Sequence, residues 1–384
     1  MVLDGVGIGE LPDAPFYGDQ GTNTIGNTAR IVGGLHLPHL ERLGLGRIAP
    51  VKGLDPRNPV EGCFGRMAER SKGKDSTTGH WEIGGIITER AYPLYPNGFP
   101  VDVIRSFLDT TGCKGVLGNK PASGTDIIKE LGAEHMLTGS PIVYTSGDSV
   151  FQIAAHEEVI PSELLYEICE VTRQKVMVGE HAVGRVIARP FTGQTGDFQR
   201  TPNRRDFSLE PPSDTVLDLL KREGIETVGI GKVVDLFAGR GFSRTILTKS
   251  NSAGVEAIVS EGRAMTTGFI MANLVDFDML YGHRQDPEGF GRALEEFDSA
   301  LPDILSVLNK EDMLILTADH GNDPTDSSTN HSREYVPLLT YNPSGNKEVD
   351  LGTRLSFADA GKTVAEFFGV PNGLSGTSFL SMTQ

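Results

Sequence analysis

Met313-Leu-Ile-Leu-Thr-Ala-Asp319-His320-Gly321-Asn322-Asp323 is the stretch that decides the fold, with His331 a short way beyond it. A short apolar run without polar alternation, closed by a glycine turn, reads as a parallel strand buried on both faces. Asp319 and His320 then stand at its carboxyl end. In open α/β sheets ligands bind at that edge, because the loops diverge there and leave a crevice. Carboxylate and imidazole without thiolate suit a divalent metal held through oxygen and nitrogen.

The design is repeated upstream. Thr266-Thr-Gly-Phe-Ile-Met-Ala-Asn-Leu-Val275 is a second apolar run, ending in Asp276-Phe-Asp278-Met-Leu-Tyr-Gly282-His283. One Asp-His pair alone reads more readily as a hydrogen-bonded pair than as a metal site. Two such pairs plus His331, all expected at strand ends of one sheet, point to a two-metal centre. The chain opens with Met1-Val-Leu-Asp4-Gly-Val-Gly-Ile-Gly9, where Asp4 brings a third carboxylate to the same edge. A dinucleotide fingerprint is disfavoured there, since the spacing is GxGxG and Pro12 and Pro15 precede any helical pattern. Ser71-Lys-Gly-Lys-Asp-Ser76-Thr77-Thr78-Gly-His-Trp-Glu-Ile-Gly84 places hydroxyls at a helix start, where backbone N–H groups can face an anion. A hydroxyl beside two metal ions can ionise and serve as a nucleophile for phosphoryl transfer, although a capped, exposed turn fits the composition equally well.

Composition bounds these readings. At 384 residues and 38% hydrophobic the chain is globular and long enough for two domains. No run approaches the roughly 18 apolar residues of a membrane span. Met1 to Asp4 shows no basic region followed by an apolar stretch, so no secretory signal is expected. Cys63, Cys113 and Cys169 are odd in number and irregularly spaced, which suggests free thiols and a cytoplasmic setting. A net charge of −16 argues against a nucleic-acid partner. No protein partner is evident.

Asp4-Gly-Val-Gly-Ile-Gly, Gly73-Lys-Asp-Ser-Thr-Thr-Gly-His-Trp-Glu, Asn119-Lys-Pro-Ala-Ser-Gly-Thr, Tyr144-Thr-Ser-Gly-Asp-Ser-Val-Phe-Gln-Ile-Ala-Ala-His-Glu, Arg200-Thr-Pro-Asn-Arg, Val275-Asp-Phe-Asp-Met-Leu-Tyr-Gly-His-Arg and Ala318-Asp-His-Gly-Asn-Asp-Pro-Thr together resemble the phosphopentomutase family of the alkaline phosphatase superfamily. The likeness runs through nearly the whole chain in order. It implies exchange between ribose 1-phosphate and ribose 5-phosphate, and between the 2-deoxy pair, using two Mn2+ ions. It also implies a phosphorylated hydroxyl residue, a 1,5-bisphosphate intermediate, and glucose 1,6-bisphosphate or a pentose 1,5-bisphosphate as the priming activator. Carried onto this sequence, it assigns Asp278, His283 and His331 to one metal, and Asp4, Asp319 and His320 to the other. Ser76 becomes the nucleophile and a ligand of the second metal. The family usually has threonine at that place, and Thr77 and Thr78 follow at once. The resemblance associates Ser146, Asp148, Arg185, Ile187, Arg200 and Lys232 with the pentose phosphate. The family also has more residues before its first metal aspartate. The three here make a strand of about 10 Å at ~3.3 Å per residue, so either an upstream start or a stunted strand is expected.

The expected fold is an α/β, alkaline-phosphatase-like, doubly wound core sheet with an inserted α+β cap. Residues 1–93 and 210–384 form the metal-binding core and 94–209 the substrate-recognising cap. Within the cap, Pro161 to Thr172 reads as a helix with Leu164, Leu165, Ile168 and Val171 on one face. Five arginines fall between Arg185 and Arg205 against one acid, Asp197, a local excess suited to gripping a phosphate. Phe290 to Leu308 reads as an amphipathic helix kinked or broken at Pro302. Three rival readings are a phosphoglycerate mutase of the same superfamily, a metal-dependent phosphatase, and a non-catalytic sugar-phosphate-binding protein.

Overall fold

A computed structural model describes residues 1–146 and 149–384. The chain divides into two compact units, residues 1–91 with 211–384, and residues 92–210. Among the described residues no helix is long and apolar enough to cross a membrane.

The first unit is built on eight strands: β1 (Val2–Leu3), β2 (Cys63–Met67), β3 (Thr227–Ile230), β4 (Arg244–Ile246), β5 (Phe269–Leu274), β6 (Leu314–Leu316), β7 (Val336–Tyr341) and β8 (Val349–Arg354). β1, β5, β3 and β4 lie side by side in that order, all parallel. β6, β7, β2 and β8 form a second set. A parallel bridge between Val2 and Thr317 joins the two, with Leu3 N donating to Thr317 O at 2.8 Å. Only β7 runs antiparallel to its neighbours, pairing that way with both β6 and β2. The consequence is positional: β1, β5 and β6 end at one edge, and β7 begins there. Asp4, Asp278, Asp319 and His320 follow the three parallel strands, and His331 precedes the antiparallel one.

Four helices matter for the site: α1 (Ser76–Ile83), α2 (Asn251–Ala264), α3 (Pro287–Ser306) and α4 (Ala358–Phe367). Asp75 caps α1, its side chain accepting from Thr78 N, so Ser76 occupies the first helical position. Gly79 lets this helix approach the backbone closely, because a Cβ there would lie 2.0 Å from Asp319 O. α3 runs unbroken through Pro302, so the helix does not break there. Phe290, Leu294, Phe297, Leu301 and Ile304 are buried along one face of the helix, and that packing outweighs one missing N–H four residues from its end.

The second unit is a mixed sheet in the order 117–121, 142–145, 150–156, 185–192 and 199–200, with 205–208 also paired to 185–192. Alternation along its strands sends Val143, Phe151 and Ile153 into one core and Ile142, Tyr144 and Ala154 into another. The helix Ser162–Val171 buries Leu165 and Ile168. Leu164, expected on that face, is instead 46% exposed, since the apolar stripe is narrower than the sequence suggests.

Candidate metal centre

Two groups of ligand-bearing side chains assemble at the shared edge of the first unit. Asp278, His283 and His331 form one, and Asp4, Asp319 and His320 the other. Within each group the potential ligand atoms lie within 4.8 Å of one another, and these are the only such groups among the described residues. The His320 and His331 rings stack with centroids 3.8 Å apart, so the groups adjoin.

The imidazoles are oriented by backbone carbonyls. His320 Nδ1 donates to Gly321 O at 3.1 Å, His283 Nδ1 to Thr329 O at 2.7 Å, and His331 Nδ1 to Lys74 O at 3.1 Å. Each carbonyl fixes the tautomer and turns the Nε2 lone pair inward. His283 Nε2 and His331 Nε2 face each other at 3.2 Å, each 3.3 Å from an Asp278 oxygen. His320 Nε2 lies 3.3 Å from Asp319 Oδ2 and 3.4 Å from Asp4 Oδ1. Lone pairs and carboxylate oxygens converging in this way suit a cation among them.

Electrostatics agree with that reading. Asp4 and Asp319 are wholly buried, and Asp4 Oδ1 and Asp319 Oδ2 accept no hydrogen bond from a described residue. Burial, then the charge of Asp319, pushes the Asp4 carboxyl up to about 7. Burial also opposes ionisation of Asp319, but His320 and His80 outweigh it and hold the carboxyl down at about 2. Burial lowers His320 to about 4, leaving a neutral ligand. Asp278 is buried as well, yet His331 and His283 draw it well below the usual carboxylate range. Two buried carboxylates and a neutral imidazole around unsatisfied oxygens fit a divalent cation.

Ser76 meets this arrangement directly. Its Oγ lies 3.1 Å from His320 Nε2. Thr78 Oγ1 is engaged elsewhere, donating to Asp75 Oδ2 at 2.7 Å. Lys232 Nζ stands 3.6 Å from Asp4 Oδ2. In the second unit, Arg185 Nη1 reaches Asp206 Oδ2 at 3.4 Å, and Arg204 pairs with both oxygens of Asp206 at 2.7 Å. Asp206, one residue past the arginine-rich window, therefore offsets part of its charge. Ile187 is buried, Ser146 half-buried and Arg200 exposed. Asp148 lies outside the described residues.

Sequence reasoning missed several supports. Asn322 Nδ2 donates to Asp278 Oδ1 at 2.7 Å. Arg333 is 1% exposed. Its guanidinium holds Glu69 Oε2 at 2.7 Å and the carbonyls of Ser71 and Gly73, which fixes the loop leading to Ser76. Glu334 accepts from Gly9 N, Thr24 N, Thr24 Oγ1 and Ser332 Oγ. A charged or polar residue close to the ligand motifs was the available signal, but only the structure reveals their burial.

Comparison with known proteins agrees with this geometry. Residues 1–372 match the metalloenzyme superfamily. The phosphopentomutase of Dictyoglomus thermophilum is 58% identical over 384 residues, covering 100% of this chain and 97% of its own. That of Carboxydothermus hydrogenoformans is 58% identical over 379 residues, covering 99% and 97%. Among solved structures, the PH0037 protein from Pyrococcus horikoshii overlays with a TM-score of 0.50 at 13% identity, covering 97% of each chain, a likeness of fold alone.

Proposed function

The chain belongs to the phosphopentomutase family within the metalloenzyme superfamily. We propose that it is a mutase acting on pentose phosphates, exchanging phosphate between C1 and C5 of ribose or 2-deoxyribose. From that premise we propose that Ser76 carries the phosphate. The observation behind this reading is the Ser76 hydroxyl at the start of α1, 3.1 Å from His320 Nε2 of the enclosed group, which the second group adjoins.

The proposed exchange has two transfers. A free hydroxyl of the bound pentose monophosphate attacks the phosphoserine, loses its proton, and frees the Ser76 hydroxyl, giving a 1,5-bisphosphate. Ser76 then takes the other phosphate and the isomeric monophosphate leaves with a restored hydroxyl. Asp278, His283 and His331 would hold one divalent ion and Asp4, Asp319, His320 and Ser76 the other, with manganese the proposed metal. When bound, such ions neutralise charge on the transferring group and on the attacking and leaving oxygens. The first turn of α1 directs backbone N–H groups toward the same anion. We assign Ser146, Asp148, Arg185, Ile187, Arg200 and Lys232 to orienting the sugar phosphate. A sugar bisphosphate such as glucose 1,6-bisphosphate is the proposed primer. The free thiols suit a cytoplasmic compartment.

The test supplies manganese-loaded protein with ribose 1-phosphate and a trace of glucose 1,6-bisphosphate, following ribose 5-phosphate and free phosphate together. Isomer without free phosphate is expected; free phosphate with little isomer would mean a hydrolase. Ser76→Ala should lose both turnover and the covalent phosphate label while keeping its fold. Full activity in that variant would move the nucleophile to Thr77 or Thr78.

A further inference from the structure

Behind the ligand groups lies a buried polar chain that the exchange described above does not use. Asn273 sits inside β5, a strand whose neighbours in sequence, Ala272 and Leu274, are each 1% exposed. A polar side chain there is costly unless hydrogen-bonded. Its Oδ1 accepts no hydrogen bond from a described residue, so an apolar residue would spare that orphan. What the amide offers is two N–H groups. One reaches Asp4 Oδ2 at 3.1 Å and the other His80 Nε2 at 3.0 Å.

His80 completes the chain. It lies four residues after Ser76 on α1, hence on the same helix face. Its Nδ1 is 2.8 Å from Ser76 O and 3.1 Å from Asp319 Oδ2. A carbonyl acceptor on one side and an amide donor on the other set which ring nitrogen donates and which accepts. The chain therefore joins Asp4 after β1, Asn273 in β5 and the first residue of α1, with His80 also lying beside Asp319 after β6 and with Asn273 and His80 at most 1% exposed. Asp4 keeps Oδ1 turned away from the amide, toward His320 Nε2.

We propose that His80 and Asn273 are positioning residues, tying the backbone of Ser76 by hydrogen bonds to Asp4 and setting the His80 ring against Asp319, so that hydroxyl and ligand oxygens keep one mutual geometry. This rests on the reading of Ser76 as nucleophile. Neither residue touches the sugar. Their effect should fall on metal retention and on turnover in the bound state, since outer partners of ligands typically govern 10–100-fold in metal affinity or activity.

The experiment uses the full chain loaded with manganese, comparing wild type, His80→Asn, Asn273→Leu and the double variant. His80→Asn keeps a short donor near Ser76 O but removes the acceptor for Asn273. Asn273→Leu preserves approximate volume and removes both donors. Expected are a kcat lower by roughly 10–100-fold, KM within about threefold, and manganese affinity at one site weakened by about tenfold. The double variant should be no worse than the poorer single one, because both cut the same chain. Losses that multiply in the double variant, or a change in KM alone, would overturn the proposal. So would unchanged manganese affinity with unchanged kcat. Manganese retention is read by equilibrium dialysis, so it decides the coupling even if the wild-type protein proves not to turn over pentose phosphates. Should Asn273→Leu fail to fold, Asn273→Ser removes the same donors with a smaller side chain and is read identically.

Discussion

The two ligand groups adjoin, yet they are built differently. Asp4, Asp319 and His320 are wholly enclosed, and they lie within a few residues of strand ends. Asp278 is buried, but the side chains of His283 and His331 keep 34% and 11% of their surface. His283 sits just past a single wide turn, Phe277–Gly282, and His331 lies before β7. One group is therefore positioned by the sheet and the other partly by loops. Rigid, enclosed ligands should hold a cation tightly and exchange it slowly, whereas loop-borne, half-open ligands should release it first.

The strongest way to break this contrast is Asp319→Asn. The change removes a charge from the enclosed group while nearly keeping its shape. Turnover should fall by more than about 1000-fold, and one of two manganese ions should be lost at every concentration tried. Retention of both ions would show that Asp319 is not needed to hold the ion of the enclosed group. His283→Ala is the milder counterpart. Water can take the vacant position at the half-open group, so the loss should be about 10–100-fold and recover as manganese is raised. Stepwise chelation of wild type sharpens the point: one ion should leave early and the second only slowly. Simultaneous release would erase the distinction.

The same contrast explains what could be read from sequence. All the enclosed ligands stand at the ends of apolar runs, and chemistry at a run's end is visible without coordinates. Asp278 and His283 follow another such run and were visible for the same reason. His80, Asn273, Asn322, Arg333 and Glu334 were not, because their meaning comes from burial. An asparagine in an apolar run looks like noise until its amide is seen between Asp4 and His80. A break at Pro302 does not occur, because a local rule about a missing N–H ignores the packed face that carries α3 through it. The arginine window misled in degree, since Asp206 lay just outside it and pairs with both Arg185 and Arg204. The architecture itself was legible, because strands buried on both faces announce themselves as unbroken apolar runs.

Glu334 tests how firmly the looser group is anchored, and should affect turnover least. It is 1% exposed and ties Gly9 and Thr24 to Ser332, the residue beside His331. Burial raises its carboxyl to about 7, against four hydrogen-bond donors that pull it down. A carboxyl raised in the folded state binds its proton there more readily than when unfolded. Its stabilising contribution is thus complete below the unfolded value near 4.5 and disappears as pH rises through about 7. Each pH unit between those two values corresponds to about 1.4 kcal/mol, so the contribution reaches at most about 3 kcal/mol. Glu334→Gln resembles the protonated acid: its amide oxygen can accept from Gly9 N and Thr24 N, and its amide hydrogens can face the two hydroxyls. Thermal unfolding of the two proteins should coincide near pH 4 and diverge toward pH 8, with the variant the more stable. Parallel curves would mean that the four donors keep Glu334 ionised, so that the entry to β7 is held by charge at every pH and the looser group rests on a firmer base than its exposure suggests.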